Sequence, residues 1–213
     1  MLKILKRIVQ DVTAANHLAD ALCMLVERVR KAVVAEAVSV YLIDNKHAEY
    51  VLIATDGLNK QAESRIRVPL DRGLIGLVGR REEPINITNA PSHPDYYQNP
   101  LLGEDHLNAF LGVPIIQHRK LYGVLSVQQS DQRCFADAEE AFLITLAAQL
   151  GGLIAHAEAT GELAELTQPP TVANEPVQAA LMGIGSVPGV AIGTAVVVYP
   201  PADIDAVPRH VVE

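Results

Sequence analysis

Cysteine is scarce: Cys23 and Cys134 are the only two, with no C-x-x-C pair and no histidine beside either at metal-ligand spacing. That excludes a disulfide-built scaffold and a thiolate metal site, and two reduced thiols fit a cytoplasmic protein. Clustered Lys and Arg are lacking too. With 17 basic against 25 acidic residues and a formal charge of -8, no nucleic-acid surface is expected, because phosphate binding needs a cationic patch. Val190 to Val198 is apolar but too short to span a bilayer. The basic, amphipathic opening Met1 to Ile8 is followed by neither a long apolar core nor a small-residue cleavage site, so it reads as a helix start rather than a secretory signal or membrane anchor. A soluble chain with no membrane partner is therefore expected. Catalytic signatures are also missing: there is no G-x-S-x-G elbow, no G-x-x-x-x-G-K loop and no H-E-x-x-H pair. The paired acids Glu139-Glu140 read as partners of a helix dipole, and Glu82-Glu83 as solvated charges.

What is present is an ordinary globular balance of 49% hydrophobic and 20% charged residues in a 213-residue chain, enough for one substantial domain and a smaller piece. The organising stretch is Ala109 to Gln128. Two apolar runs, Phe110 to Ile116 and Leu121 to Val127, flank the polar tetrad Gln117 to Lys120 and predict a β-hairpin. Their unbroken apolar character predicts central strands covered on both faces, by helices on one side and something else, such as a ligand, on the other. Pro114 lacks a donor and so predicts a bulge or an unpaired position.

Around this hairpin the chain alternates helical and strand patterns. Leu5, Ile8, Val9 and Val12, then Leu18 through Val33, follow helical spacing and predict one long helix bent near Thr13 to Asn16. Its first stripe is expected to project beyond the sheet and to bury itself against a second copy of the chain. Val38 to Asp44 and Tyr50 to Thr55 predict a second hairpin, Ser64 to Leu70 a strand, Leu74 to Arg81 a short helix, and Pro84 to Ile87 a short strand. Gly76 and Gly79 would let that short helix approach the sheet closely. Thr88 to Leu107 has no period and contains Pro91, Pro94, Pro100 and Gly103; so long an irregular segment predicts a lid or disorder. A second long helix starts near Phe135, with Phe142, Leu146, Leu150, Leu153 and Ala157 on one stripe, Asp137 as the expected cap, and Gly151-Gly152 as a soft spot.

The F-L-G-V-P-I and L-Y-G-V-L strands, with V-P-L-D-R-G-L-I-G at Val68 to Gly76 and E-P-I-N-I-T at Glu83 to Thr88, resemble the GAF family of small-molecule-sensing domains. The resemblance covers about three quarters of the chain and implies an α+β fold: an antiparallel sheet between helical layers, with long N- and C-terminal helices. The sequence lacks the Cys-His pair of bilin-binding relatives and the cysteine set of methionine-sulfoxide-reducing ones. If the family's pocket is kept, the sheet is its floor and the Thr88 to Asn108 segment and the Gly73 helix are its roof. An amino-acid-sized ligand needs a cation or exposed N–H groups, an anion, and an amide partner. Arg67 or the N-terminus of the Leu74 helix meets the first need, Asp95 the second, and Asn108 or Gln128 the third. Tyr96 and Tyr97 serve either to stack on a ligand or to anchor the lid, Arg67 can equally be an exposed strand charge, and Asp95 can equally organise the turn after Pro94. His93 and His106 read as surface hydrogen-bonders, without a metal.

Thr167 to Pro176 has linker composition, and Gly183 to Gly193 leads into an apolar run, Thr194 to Tyr199. This tail resembles the opening of the phosphohistidine domain of Enzyme I phosphotransferases, except that Val187 stands between Ser186 and Pro188. The order of parts resembles the nitrogen-related Enzyme I family. The expected organisation is a sensor domain over 1-166, a linker over 167-176 and the start of the phosphotransferase's N-terminal domain over 177-213. That family's phosphorylated histidine lies in a G-G-x-x-[ST]-H context that none of the seven His residues has, so no catalytic residue is expected in this chain. The resemblance implies glutamine as effector with 2-oxoglutarate opposing, a homodimer through the terminal helices, a small phosphocarrier protein as partner of downstream domains, no cofactor here, and Mg2+ for the phosphotransferase part only. A cyclic-nucleotide sensor and a ligand-free structural dimerisation module are the alternatives.

Overall fold

The computed structural model describes residues 2–169, so the linker beyond Pro169 and the expected phosphotransferase start over 177-213 lie outside the described residues. Five α-helices are present among them: α1 (Leu2–Thr13), α2 (Leu18–Ala32), α3 (Gly73–Arg81), α4 (Asp137–Thr160) and α5 (Glu162–Thr167). Six strands, β1 (Ala37–Asp44), β2 (Glu49–Asp56), β3 (Arg67–Pro69), β4 (Ile85–Ile87), β5 (Ala109–Gln117) and β6 (Lys120–Gln129), form one antiparallel sheet in the order β3-β2-β1-β6-β5-β4.

The side-chain alternation of each strand feeds two separate cores. Val38, Val40 and Leu42 of β1, Leu111, Val113 and Ile115 of β5, and Leu125 and Val127 of β6 pack with α2 and α4 on one face. Tyr41 and Ile43 of β1, Phe110 of β5 and Val124 of β6 turn to the other, where α3 and the irregular segments cover them. Unbroken apolar strands are the signature of that double coverage, and β6 and β5 sit inside the sheet as expected.

The hairpin turn is tighter than the polar tetrad suggests. Gln117 pairs with Lys120, leaving only His118 and Arg119 at the turn, both at positive φ (49° and 62°), the handedness that two-residue hairpins require. Pro114 pairs with Val124, and β4 has already ended opposite Gly112, so the missing donor leaves no ladder broken on that side. The bulge falls on the partner strand: register shifts after Ile115, and Tyr122 is the extra residue between Gly123 and Leu121.

The N-terminal expectation is corrected. The chain breaks between α1 and α2, and α1 folds back: Asp11 accepts an ion pair from Arg28 at 3.0 Å, and Ile8 and Val12 are buried in the same core as Leu25, Leu146 and Leu150. The α1 stripe is thus satisfied within one chain and does not project. The C-terminal helix also turns back, at Gly161 (φ 88°), into α5. Glu162 of α5 accepts the Leu18 N–H at 2.6 Å, supplying α2 with the cap that His17 does not. At the start of α4, Asp137 is exposed and caps nothing; Glu139 reaches back to accept the Ala136 N–H at 2.8 Å while also pairing with Arg133 at 2.8 Å.

Two glycines permit close approaches. A methyl at Gly79 would lie 1.7 Å from the Tyr50 hydroxyl, so α3 rests directly on the sheet there, and one at Gly151 would meet the Ile116 carbonyl at 2.9 Å, which brings α4 onto β5. Helix α4 is long and apolar enough to cross a membrane by composition, but its Phe142, Leu146, Leu150 and Ile154 are buried against the sheet, as in the core helix of a globular domain.

Candidate functional site

Opposite the α2–α4 layer, the sheet forms the floor of a cavity of about 50 Å³, room for a few waters. Tyr41 of β1, Phe110 of β5, and Ser126 and Gln128 of β6 make the floor. Gly73, Leu74 and Ile75, the first turn of α3, make one wall; first-turn N–H groups have no acceptor within their own helix, and the helix dipole makes that wall electropositive. The roof is the segment from residue 88 to 108, which contributes Tyr96, Tyr97, Asn99, Leu102 and Glu104.

The roof is short of regular structure but not of ties. At its base Ala90 N–H donates to the Asn108 carbonyl at 2.7 Å, and Asn108 N–H donates to that of Gln129 at 2.8 Å. In its middle, Asn59 binds Leu101 and Leu102 carbonyls at 3.1 Å each. Toward α3, Arg80 holds the Asp95 carboxylate at 2.9 Å, and the Arg72 guanidinium stacks on the Tyr97 ring at 5.3 Å.

Glu104 is the unusual group. It is 7% exposed, Asn99 N–H donates to its Oε1 at 3.3 Å, and Gln128 Nε2 donates to its Oε2 at 3.2 Å. Among the described residues no Lys, Arg or His nitrogen comes within ion-pair range of it. Burial pushes its carboxyl above the ordinary carboxylate range; the Gln128 and Asn99 donors pull it back in part, and Asp105 adds to the rise. Burial likewise raises the Tyr41 phenol, and the Glu104 charge raises it further.

The six residues expected to bind a ligand divide evenly. Tyr96, Tyr97 and Gln128 line the cavity; Arg67, Asp95 and Asn108 do not. Arg67 opens β3 beside the cavity-lining Val68 but faces the other way, where it pairs with Asp44 at 2.9 Å and Glu49 at 3.3 Å and donates to the Thr167 carbonyl at 2.5 Å. That group is a structural clamp: burial would raise Asp44, but hydrogen bonds from Arg67, His47 and the Lys46 N–H outweigh it and hold the carboxyl at about 2. Asp95 fastens the roof to α3 through Arg80, and Asn108 donates to the Ser130 carbonyl at 2.6 Å, closing the roof's base. Their places are taken by groups that sequence reasoning missed. Glu104 carried no signal in the linear chain, since an acid in a polar loop is ordinarily solvated. Arg72 could have been noticed as the residue that precedes the Gly73 turn.

A six-stranded antiparallel sheet with helices on one face and a roofed, polar-ended cavity on the other defines a ligand-sensing class of domain. The GAF domain family model matches residues 17–154, and the chain belongs to that family. It is 39% identical over 194 residues, 91% of its length, to the phosphoenolpyruvate-dependent phosphotransferase system protein of Salmonella typhimurium, and 39% identical over 168 residues to that of Escherichia coli. The chain spans about a quarter of the length of these relatives (25% and 22%). Among solved structures it is similar to the GAF domain from a phosphoenolpyruvate-protein phosphotransferase of Coxiella burnetii, with 49% identity and a TM-score of 0.73 over 75% of this chain and 95% of that one. The corresponding domain from Acinetobacter gives 42% identity and a TM-score of 0.71 over the same shares.

Proposed function

We propose that this domain senses glutamine and passes its occupancy to a phosphoenolpyruvate-protein phosphotransferase module that follows it, beginning within 177-213 after a linker that starts beyond α5. The observation that carries the effector class is the cavity's polarity: the N-terminus of α3 on one wall suits a carboxylate, and Glu104 on the roof suits an ammonium. Between them the Gln128 amide suits the side-chain amide of glutamine. A dicarboxylate such as 2-oxoglutarate meets the buried Glu104 acid without a compensating cation, so its opposing effect acts elsewhere in the complete protein.

The cavity, about 50 Å³ and partly open, is small for glutamine's ten heavy atoms, and the roof over 88–108 moves to admit it and closes on the bound form. That closure is the signal. Its path outward runs through α3 and the Arg80–Asp95 tie to the sheet, and from the sheet to α4 and α5. In the complete protein the signal sets autophosphorylation from phosphoenolpyruvate, with Mg2+ serving those downstream domains, and onward transfer to a small phosphocarrier protein. Control of this kind requires unequal affinity for the open and closed arrangements.

The domain works as a homodimer in the cytoplasm. With the α1 stripe buried within its own chain, support for a dimer moves to the outer face of α4, where Ala141, Ile144, Thr145, Ala148 and Gly152 are exposed and no charged side chain interrupts between Glu140 and Glu158. The small size of the cavity favours a second reading, a structural dimerisation module whose pocket is filled by its own side chains. Calorimetry with glutamine, 2-oxoglutarate and cyclic nucleotides separates the possibilities: heat from glutamine alone is expected, a cyclic-nucleotide response with glutamine silent rejects the effector, and silence from all three leaves the structural module.

A further inference from the structure

The roof segment carries a buried acid that folding alone does not explain. Glu104 belongs to an irregular segment, yet it is only 7% exposed and lines the cavity with Tyr41 and Tyr96, whose phenols feel its charge. A buried carboxylate held by two neutral donors and no cation is costly to the fold, and such groups persist where a ligand completes them.

We infer that Glu104 is the specificity-determining counter-ion of the cavity, receiving a ligand's primary ammonium between its carboxylate and the rings of Tyr41, Tyr96 and Phe110. The inference rests on the sensor reading above and narrows its ligand to amines, excluding the corresponding oxo acids and deaminated acids. Three features converge on it. The carboxylate borders the open space, with Asn99 and Gln128 fixing both oxygens and so its direction. Tyr41, Tyr96 and Phe110 line the same space, and aromatic faces attract cations. Among the described residues no Lys, Arg or His nitrogen lies within ion-pair range of Glu104, so none of them supplies its counter-charge.

The charge environment sets the pH dependence. The titratable groups facing Glu104 are Tyr41 from β1 and Tyr96 and Asp105 from the roof; β6 contributes only the neutral Gln128. Both phenols are raised and stay neutral, and Asp105 adds negative potential, so nothing nearby substitutes for the ligand's charge. Affinity for an amine should therefore fall as Glu104 takes up a proton on acidification, while affinity for an uncharged analogue should not.

The test compares glutamine with 4-carbamoylbutanoate, the same molecule without its ammonium, on the wild-type chain and on Glu104→Gln, which keeps the shape and an acceptor oxygen. The wild type should bind glutamine at least tenfold more tightly than the deaminated analogue, and Glu104→Gln should erase most of that difference by weakening glutamine alone. Equal weakening of both ligands, or no preference in the wild type, overturns the inference. A thermal-shift panel of the other amino acids and of putrescine covers the case in which glutamine is silent. Stabilisation of the wild type but not of Glu104→Gln by another amine would reject glutamine and keep Glu104 in its role; silence from every amine would reject the role itself.

Discussion

Replacing Arg67 with alanine is expected to loosen α5 from the sheet and to destabilise the domain by about 2 to 3 kcal/mol. The Arg67 side chain is 17% exposed and the Asp44 side chain 6%, so the pair is largely out of water. Removing one partner of a buried pair costs about 3–5 kcal/mol, because the other is left uncompensated. Asp44 keeps donors from Lys46 N–H at 3.0 Å and from the His47 ring at 2.6 Å, which places the loss at or below the bottom of that range. The same cluster predicts an acid limb. Asp44 is held at about 2 against an ordinary 3.8, so its folded value lies below its unfolded one. Its stabilisation is complete above the unfolded value and is lost as pH falls through the folded one, a change of about 2 kcal/mol. Urea unfolding from pH 7 down to pH 2, with hydrogen exchange on the α5 amides, reads both effects. In Arg67→Ala the acid limb should flatten and α5 exchange should quicken. A variant within about 0.5 kcal/mol of wild type, with unchanged α5 protection, would refute the clamp.

Other consequences are separable. Gly79→Ala forces a methyl into the Tyr50 hydroxyl and should lower stability by about 2 kcal/mol or more, whereas Gly152→Ala, with nothing of its own chain within 4 Å of the added methyl, should raise the stability of the monomer by up to about 1 kcal/mol; thermal melts in the Ile144→Lys background compare the pair. Leu150→Ala, at the α1–α2–α4 core, should cost about 2–5 kcal/mol by the same assay. If the outer face of α4 is the dimer contact proposed above, Ile144→Lys, which puts a charge on it, should yield a monomer in sedimentation where the wild type is a dimer, without lowering the melting temperature of the monomer.

The strands were legible because both of their faces are covered: long apolar runs such as Phe110 to Ile116 have no other stable place in a globular domain. The α1 stripe was legible as a helix but not in its destination, since Ile8 and Val12 would look alike facing a second chain or facing Leu146 and Leu150. Asp137 and Glu139 show the same limit at shorter range. Both acids fall in the first turn of α4, but with Ala136 as the N-cap it is Glu139, three residues on, that reaches back to its N–H, and Arg133 pairs with the same carboxylate. At the site, Tyr96, Tyr97 and Gln128 do line the cavity, while Arg67 does not because β3 gives that face to its neighbour Val68 and turns Arg67 to the α5 side. Glu104 depends on a loop path with no period to read, and its burial comes from tertiary contacts with Gln128 and Asn99, 24 and 5 residues away.

The central claim is that the space beneath the 88–108 roof takes up a small molecule. Titrating the isotope-labelled chain with glutamine and following its amide resonances tests this most directly. Saturable shifts centred on Tyr41, Leu74, Glu104 and Gln128, spreading into α5, are the predicted result. Resonances that stay fixed around that space, or that move only at sites distant from it, would contradict the account.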